Sequence, residues 1–307
     1  MSSIGLIDVD GHNFPNLALM KLSAFHKING DSVEWYTPFS EYDIVYKAKV
    51  FTFTQDYDNH IINSKEVISG GTGYKMYDEL FCDKVQPDYS IYNRSSWYDD
   101  SVAYGFLTRG CPNKCEWCIV PKKEGGVREY MDIEEIAQGK KRVVLMDNNI
   151  LASDYGLEQI EKIIKLGIRV DFNQGLDARM IANNEETAKM LGRVKWIRHL
   201  RMACDSSGMK KPLKKATELL RKHNCKPSEY FVYVLLRELG DSYDRINFCK
   251  DLGLKAFAQP FRDFTPTQII PQWQKDMAHY TNKKSIYYSC DFKDFSPRKG
   301  FVCNKYF

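Results

Sequence analysis

Thr108-Arg109-Gly110-Cys111-Pro112-Asn113-Lys114-Cys115-Glu116-Trp117-Cys118-Ile119-Val120-Pro121 places three thiols within eight residues, directly behind the apolar run Tyr104 to Thr108. Thiolates are soft ligands suited to zinc or to iron-sulfur clusters, and both kinds of site ordinarily take four protein ligands. This run offers three. A [4Fe-4S] cube held by three cysteines leaves one iron open to a small molecule that chelates through its own amino and carboxylate groups. The alternative is a structural zinc knot completed by a distant cysteine or histidine, for which Cys-x3-Cys-x2-Cys is a less usual spacing than paired Cys-x2-Cys hooks.

Outward from this segment the pattern is regular. Candidate strands at Tyr104 to Thr108, Val143 to Asp147, Arg169 to Phe172, Trp196 to Met202, Tyr230 to Leu236 and Lys255 to Gln259 alternate with amphipathic helix patterns. Tyr155 to Leu166 sets Leu157, Ile160, Ile163 and Ile164 on one face and stops at Gly167. Asp132 with Glu135 reads as a capped helix start, and Asp241 to Leu252, stopped by Gly253, as another helix. Such strand-helix units imply a parallel sheet with right-handed crossovers, and six are too few for a closed eight-stranded barrel. The expectation for residues 101–260 is therefore a partial (β/α)6 TIM-like barrel, with function at the carboxyl ends of its strands.

Residues 1–100 read as a small Rossmann-like α/β domain. A strand at Ile4 to Val9 precedes a helix in which Pro15 occupies the first turn and Leu17, Met20, Ala24 and Ile28 follow with helical spacing up to Gly30. Short strands are expected at Ser32 to Trp35, Ile44 to Tyr46, Val50 to Phe53 and Val67 to Ser69, the last entering Gly70-Gly71-Thr72-Gly73. Residues 261–307, with three prolines and one helix near Gln272 to Tyr280, read as a C-terminal extension.

At 307 residues, 43% hydrophobic and 27% charged, the chain should hold one large domain or two smaller ones. With 19 Gly and 11 Pro, collagen-like and low-complexity readings are excluded. The longest apolar stretch, Tyr230 to Leu236, falls far short of the ~20 residues that cross a bilayer, so no membrane partner is expected. Asp8 and Asp10 interrupt what would be the apolar segment of a signal peptide, which points to a cytoplasmic, reducing compartment. There, nine cysteines suggest metal or catalytic chemistry rather than disulfides. A net charge of +4 identifies no substrate.

The cysteine segment resembles the radical S-adenosylmethionine (SAM) superfamily, whose motif is Cys-x3-Cys-x2-Cys with an aromatic residue just before the last cysteine, here Trp117. The resemblance implies that Cys111, Cys115 and Cys118 hold a [4Fe-4S] cluster and that the open iron binds SAM. It also implies that one electron, delivered by a reductant such as flavodoxin or ferredoxin, cleaves SAM to methionine and a 5'-deoxyadenosyl radical. Trp117 would lie near the adenine. Met146-Asp147-Asn148-Asn149 stands where the family contacts the SAM amino group, with Asn148 and Asn149 offering carbonyl acceptors in place of the commoner Gly-Gly-Glu. Asn173 to Arg179 resembles the strand-three segment in which an arginine meets the SAM carboxylate, and Arg179 has the fork for it. Ala203-Cys204-Asp205-Ser206-Ser207-Gly208 is similar to the segment that touches the ribose, with Asp205 for the family's Glu.

An N-terminal Rossmann-like domain ahead of the motif resembles two subgroups of the family, the cobalamin-binding enzymes, which Gly70-Gly71-Thr72-Gly73 also resembles, and the methylthiotransferases. Asp10-Gly11-His12 is similar to a corrinoid-ligating motif, with Pro15 replacing its glycine, so cobalamin is one possible further cofactor. A methylthiotransferase-type second cluster would need three thiols in residues 1–100, which contain only Cys82; Cys290 and Cys303 are distant. Lys210 to Lys226 carries seven Lys or Arg against Glu218 as its one acid, and Arg193, Lys195, Arg198, His199 and Arg201 add a second basic segment. These tilt the substrate towards RNA, in a methylthiotransferase-like modification of tRNA. Two alternatives stay open: a cobalamin-dependent methylase of a small molecule or peptide, and a non-catalytic, zinc-stabilised nucleic-acid-binding protein.

Overall fold

The computed structural model describes residues 1–11, 14–57, 61–92, 99–263, 265 and 268–307. The chain forms two compact units, one built on Met1–Ser101 and the other on Val102–Asp263 and Ile269–Phe307. Both are mixed α/β with parallel sheets.

In the first unit, β1 (Ser3–Asp8) is followed by α1 (Leu17–Ile28), β2 (Ser32–Trp35), β3 (Tyr42–Ala48) and β4 (Ser64–Gly70). All pair in parallel, in the order β2-β1-β3-β4. Pro15 precedes the helix rather than entering it: Asn16 is the cap, its side chain accepting from the Ala18 and Leu19 amides at 3.2 and 3.3 Å. α1 buries Leu19 and Leu22 against Ile4, Leu6, Tyr46 and Cys82. The strand expected at Val50 to Phe53 is a turn instead, because the Asp10 carboxylate takes the Val50 and Phe51 amides and the Thr54 hydroxyl that a ladder would need. Gly71, at φ +102°, and Gly73 permit a close approach: a Cβ at Gly71 would stand 2.5 Å from the Lys49 carbonyl oxygen, and one at Gly73 2.4 Å from Lys49 Cγ. His12 lies outside the described residues.

The second unit opens with β5 (Val102–Gly105), β6 (Thr108–Arg109), the single turn α2 (Val120–Lys123), β7 (Arg128–Glu129), α3 (Ile133–Ala137) and β8 (Arg142–Leu145). It continues with α4 (Asp154–Leu166), β9 (Arg169–Phe172), α5 (Ala178–Asn183), α6 (Glu185–Gly192), β10 (Lys195–Trp196), β11 (His199–Ala203) and α7 (Lys210–Lys222). It closes with β12 (Glu229–Leu236), α8 (Leu239–Asp251), β13 (Lys255–Pro260), α9 (Gln272–Asn282) and α10 (Lys284–Ser289). One parallel sheet runs β10-β9-β8-β5 and a second β11-β12-β13, while β6 and β7 form an antiparallel pair.

The apolar periodicity explains the layering. Leu200, Met202, Val232, Val234 and Leu236, alternate residues of β11 and β12, are fully buried. The covering helices bring Leu213, Ala216 and Leu220 from α7, and Ile246 and Cys249 from α8. The expected strand Trp196 to Met202 is divided because its first part bonds to β9, with Ile197 donating to the Val170 carbonyl at 2.9 Å, while its second part pairs with β12. Between the two sheets, the Leu176 amide donates to the Arg201 carbonyl at 2.8 Å, and Arg201 forms an ion pair with Asp171. The C-terminal segment is joined to β13: Ala258 and Asn282 exchange hydrogen bonds of 2.8 and 3.0 Å.

Arg245 of α8 is fully buried. It donates to Asp241 at 2.7 Å, to the Cys204 carbonyl at 2.6 Å and to the Leu235 carbonyl at 2.9 Å, so one guanidinium ties the ends of β11 and β12 to the helix between β12 and β13. Removing one member of such a buried set strands its acceptors. Arg245→Ala is expected to lower unfolding free energy by about 3 kcal/mol or more in urea titration; a loss below about 1 kcal/mol would mean that water replaces the guanidinium at no great cost.

Candidate functional site

The loop carrying the three cysteines, residues 110–127, leaves β6 and returns through β7, which pair as Thr108 with Glu129 and Arg109 with Arg128. Its base is pinned by a buried carboxylate. Asp147, just past β8, accepts from the Leu107 amide at 3.0 Å, from the Thr108 amide and from the Thr108 hydroxyl at 2.8 Å. These bonds take the amides of Leu107 and Thr108, which is why the strand expected over Tyr104 to Thr108 is interrupted after Gly105. Gly110 then turns the chain at φ +81°; a Cβ there would sit 2.1 Å from the Gly126 carbonyl oxygen, so only glycine allows the two arms of the loop to cross. The Cys111 amide donates to the Gly125 carbonyl at 3.1 Å.

A second carboxylate holds the loop from within. Glu124 accepts from Arg109 Nη2 at 2.8 Å and Nε at 3.1 Å, from the Gly110 amide at 2.9 Å and from Asn148 Nδ2 at 2.9 Å. Burial alone would raise this carboxyl, but the adjoining Arg109 guanidinium holds it below the usual range.

The three thiols share one tight loop, in which the Cys118 amide donates to the Cys115 carbonyl at 3.0 Å. Cys111 and Cys115 are half-buried and Cys118 is exposed. Desolvation first, and then the proximity of the other thiols, holds Cys115 and Cys118 above the ordinary thiol range. Asn149, 3% exposed, donates through Nδ2 to Cys111 Sγ at 3.7 Å and to Asp177 at 3.2 Å. Its Oδ1 is buried with no hydrogen-bond partner among the described residues, while the half-buried Asn148 gives its amide nitrogen to Glu124. Asn149 Oδ1 is thus one buried acceptor beside the cysteine loop without a donor among the described residues.

The other residues singled out from the sequence fall around the same loop. Asp177 caps α5 and accepts Arg179 Nε at 2.9 Å and Nη2 at 2.7 Å, so most of the Arg179 fork is occupied by its own helix cap. Asn113 of the cysteine loop donates to the same carboxylate at 3.1 Å. Asp205, at the end of β11, accepts from the Leu235 amide at 2.9 Å, and its carboxyl is raised by desolvation. Trp117 is met by Arg237, whose guanidinium lies 5.0 Å from the ring centroid and 5.6 Å from that of Phe261, with Glu116 at 3.9 Å. Asp147, Glu124, Asp177 and Arg237 were not assigned roles from sequence. A charged residue directly after an apolar strand (Arg237), or an aspartate two residues ahead of the matching arginine (Asp177), was the available signal.

Among the described residues, no three His, Cys, Asp or Glu side chains are grouped tightly enough to hold one metal ion. A single zinc ion needs all its donors within about 2.0–2.3 Å, whereas a cube takes one thiolate per iron, which spaces the sulfurs more widely. Three soft donors on one glycine-pinned loop, beside the unpartnered Asn149 carbonyl, are of the donor type that a cube takes. The other cysteines offer no comparable set. Cys82 and Cys303 are buried and pushed up to about 11 by desolvation, as packed neutral thiols are. The glycine run at 70–73, expected to resemble a corrinoid site, rests on Lys49 itself.

No family model matches the chain, and no curated protein does either.

Asp147 provides a pH test of this arrangement. Burial pushes its carboxyl up to about 6 from an unfolded value of 3.8. A raised acid stabilises the fold fully below the unfolded value and loses that contribution as pH rises through the folded one. Relative to Asp147→Asn, which keeps the acceptor oxygen, the protein is therefore expected to lose about 2–3 kcal/mol of stability between about pH 4 and about pH 6. Chemical denaturation of both proteins across that range measures it, and parallel curves would refute the buried-carboxylate assignment.

Proposed function

We propose that this chain is a radical SAM enzyme, a transferase acting on RNA in a methylthiotransferase-like modification of tRNA. The observation that carries the reading is the Cys111, Cys115, Cys118 loop, anchored by Asp147 and Glu124 and lying against Asn149, whose buried carbonyl oxygen is unpartnered among the described residues. In this reading β5, β8, β9, β11, β12 and β13 are the strands of a partial TIM-like barrel, and the first unit is a small Rossmann-like domain. No helix among the described residues is long and apolar enough to cross a membrane.

Cys111, Cys115 and Cys118 would hold a [4Fe-4S] cluster. When bound, the cluster supplies one electron, received from a flavodoxin or ferredoxin, for cleavage of SAM to methionine and a 5'-deoxyadenosyl radical. The protein's own part is binding and exclusion of water. The Asn148 and Asn149 carbonyls would accept from the SAM ammonium, Trp117 would border the adenine and Asp205 the ribose. Arg179 would meet the SAM carboxylate through the nitrogen that Asp177 leaves unused. Asn149 Nδ2 donates to Cys111 Sγ at 3.7 Å, a contact that would orient this sulfur. A corrinoid has less support because Lys49 lies under the glycine run, and residues 1–100 offer a second cluster no cysteine besides Cys82.

Anaerobic reconstitution with iron and sulfide, followed by dithionite and SAM, tests the reading. About four irons per chain and formation of 5'-deoxyadenosine are expected, with both lost in Cys111→Ala, Cys115→Ala and Cys118→Ala. Well-loaded protein that forms no 5'-deoxyadenosine, with or without RNA, would defeat it. Colourless, iron-free protein isolated without oxygen would favour a zinc-stabilised binding protein.

A further inference from the structure

The basic helix takes no part in the cysteine site. α7 carries Lys210, Lys211, Lys214, Lys215, Arg221 and Lys222, and Lys226 follows it. Three of these are engaged: Lys210 pairs with Asp244 at 2.5 Å, Arg221 donates to the Leu252 carbonyl at 2.8 Å, and Lys222 pairs with Glu185 at 2.7 Å. Lys211, Lys214, Lys215 and Lys226 are exposed and have no ion pair among the described residues, and Glu218 is the only acid on the helix.

Local physics does not favour this placement. Lys210 and Lys211 occupy the first turn, where the helix dipole repels cations, and no side chain caps that end. Lys210 with Lys214, and Lys211 with Lys215, are like charges one turn apart, which weakens a helix. Burial of Leu213, Ala216, Thr217 and Leu220 holds α7 in place despite these terms. The row of charge is thus a cost to the fold, offset when a polyanion binds.

We infer that the Lys211, Lys214 and Lys215 face of α7, with Lys226 beyond the helix end, is the docking track for a nucleic-acid phosphate backbone, which under the function proposed above is that of the RNA substrate. A membrane surface is the poorer fit, since a helix lying on lipid inserts an apolar face and that of α7 is buried in the protein core. A protein partner is also the poorer fit, because interface cores are depleted in lysine and enriched in aromatic anchors. The track also begins in the right place. Lys210 follows Asp205 by five residues, at the carboxyl end of β11, and the helix runs about 20 Å from there.

The test is binding of labelled unfractionated tRNA to the full-length protein over a range of salt, comparing wild type with a Lys211→Glu, Lys214→Glu, Lys215→Glu triple variant and a triple Gln variant. Each phosphate contact to a single strand contributes about 0.7 to the slope of log affinity against log salt, so the Gln variant should lose about 2 from the slope. The Glu variant should bind about tenfold or more weakly at physiological salt. Matching circular dichroism, and matching 5'-deoxyadenosine formation without RNA, would show that the variants fold. Unchanged affinity and slope would overturn the inference. So would undiminished tRNA binding with loss of binding to phosphatidylserine vesicles, which would assign the face to a membrane. Failure of all three proteins to form 5'-deoxyadenosine would strike the radical reading alone, while a lost slope would still establish the track.

Discussion

The cysteine loop depends on where its chain leaves the sheet, and that point is set by the bonds from the Leu107 and Thr108 amides and the Thr108 hydroxyl to the buried Asp147 carboxylate. A carboxylate out of water is costly unless its oxygens are satisfied, and here three donors converge on Oδ1 while Oδ2 has none. Burial is what raises its affinity for a proton, and the three donors on Oδ1 only partly oppose it. It also ends β5 early, because amides that serve Asp147 cannot serve a ladder. Glu124 completes the clamp by gathering Arg109, the Gly110 amide and Asn148, so both ends of the loop are fixed through ionic groups rather than apolar packing.

Fixing a loop in this way suits a site assembled from several strands. Asp147, Asn148 and Asn149 follow β8, Asp177 follows β9, Asp205 follows β11 and Arg237 follows β12, so one edge of the parallel strands gathers polar groups that lie far apart in the chain. Their alignment rests on the helices behind them. Arg245 reaches from α8 to the backbone carbonyls of Cys204 and Leu235, which places Asp205 where the Leu235 amide can hold it. The same economy limits Arg179: its bonds to Asp177 stabilise the start of α5 and leave less of the fork for a ligand.

The strands were largely legible in the sequence because each obeys a short-range rule. Arg169–Phe172 and Ser32–Trp35 are found as expected, and α4 ends at Gly167, whose φ of +66° is the left-handed cap its position suggested. The failures have one cause in common. Val50 to Phe53 has the composition of a strand, but Asp10, 40 residues away, claims its amides. Trp196 to Met202 has the composition of one strand but is shared between neighbours, β9 and β12.

Sequence by itself determined the thiol spacing, the alternation of strands and helices, and the apolar stripes, because covalent order and periodicity of two or 3.6 residues are local properties. Only the tertiary structure decided that Asp147 and Glu124 clamp the loop, that Asn149 lies against Cys111, and that three lysines of α7 stay without an ion pair among the described residues while Lys210 and Lys222 find carboxylates. Those outcomes depend on which distant groups compete for the same donor or charge. Such competition is settled by packing, and no local pattern encodes it.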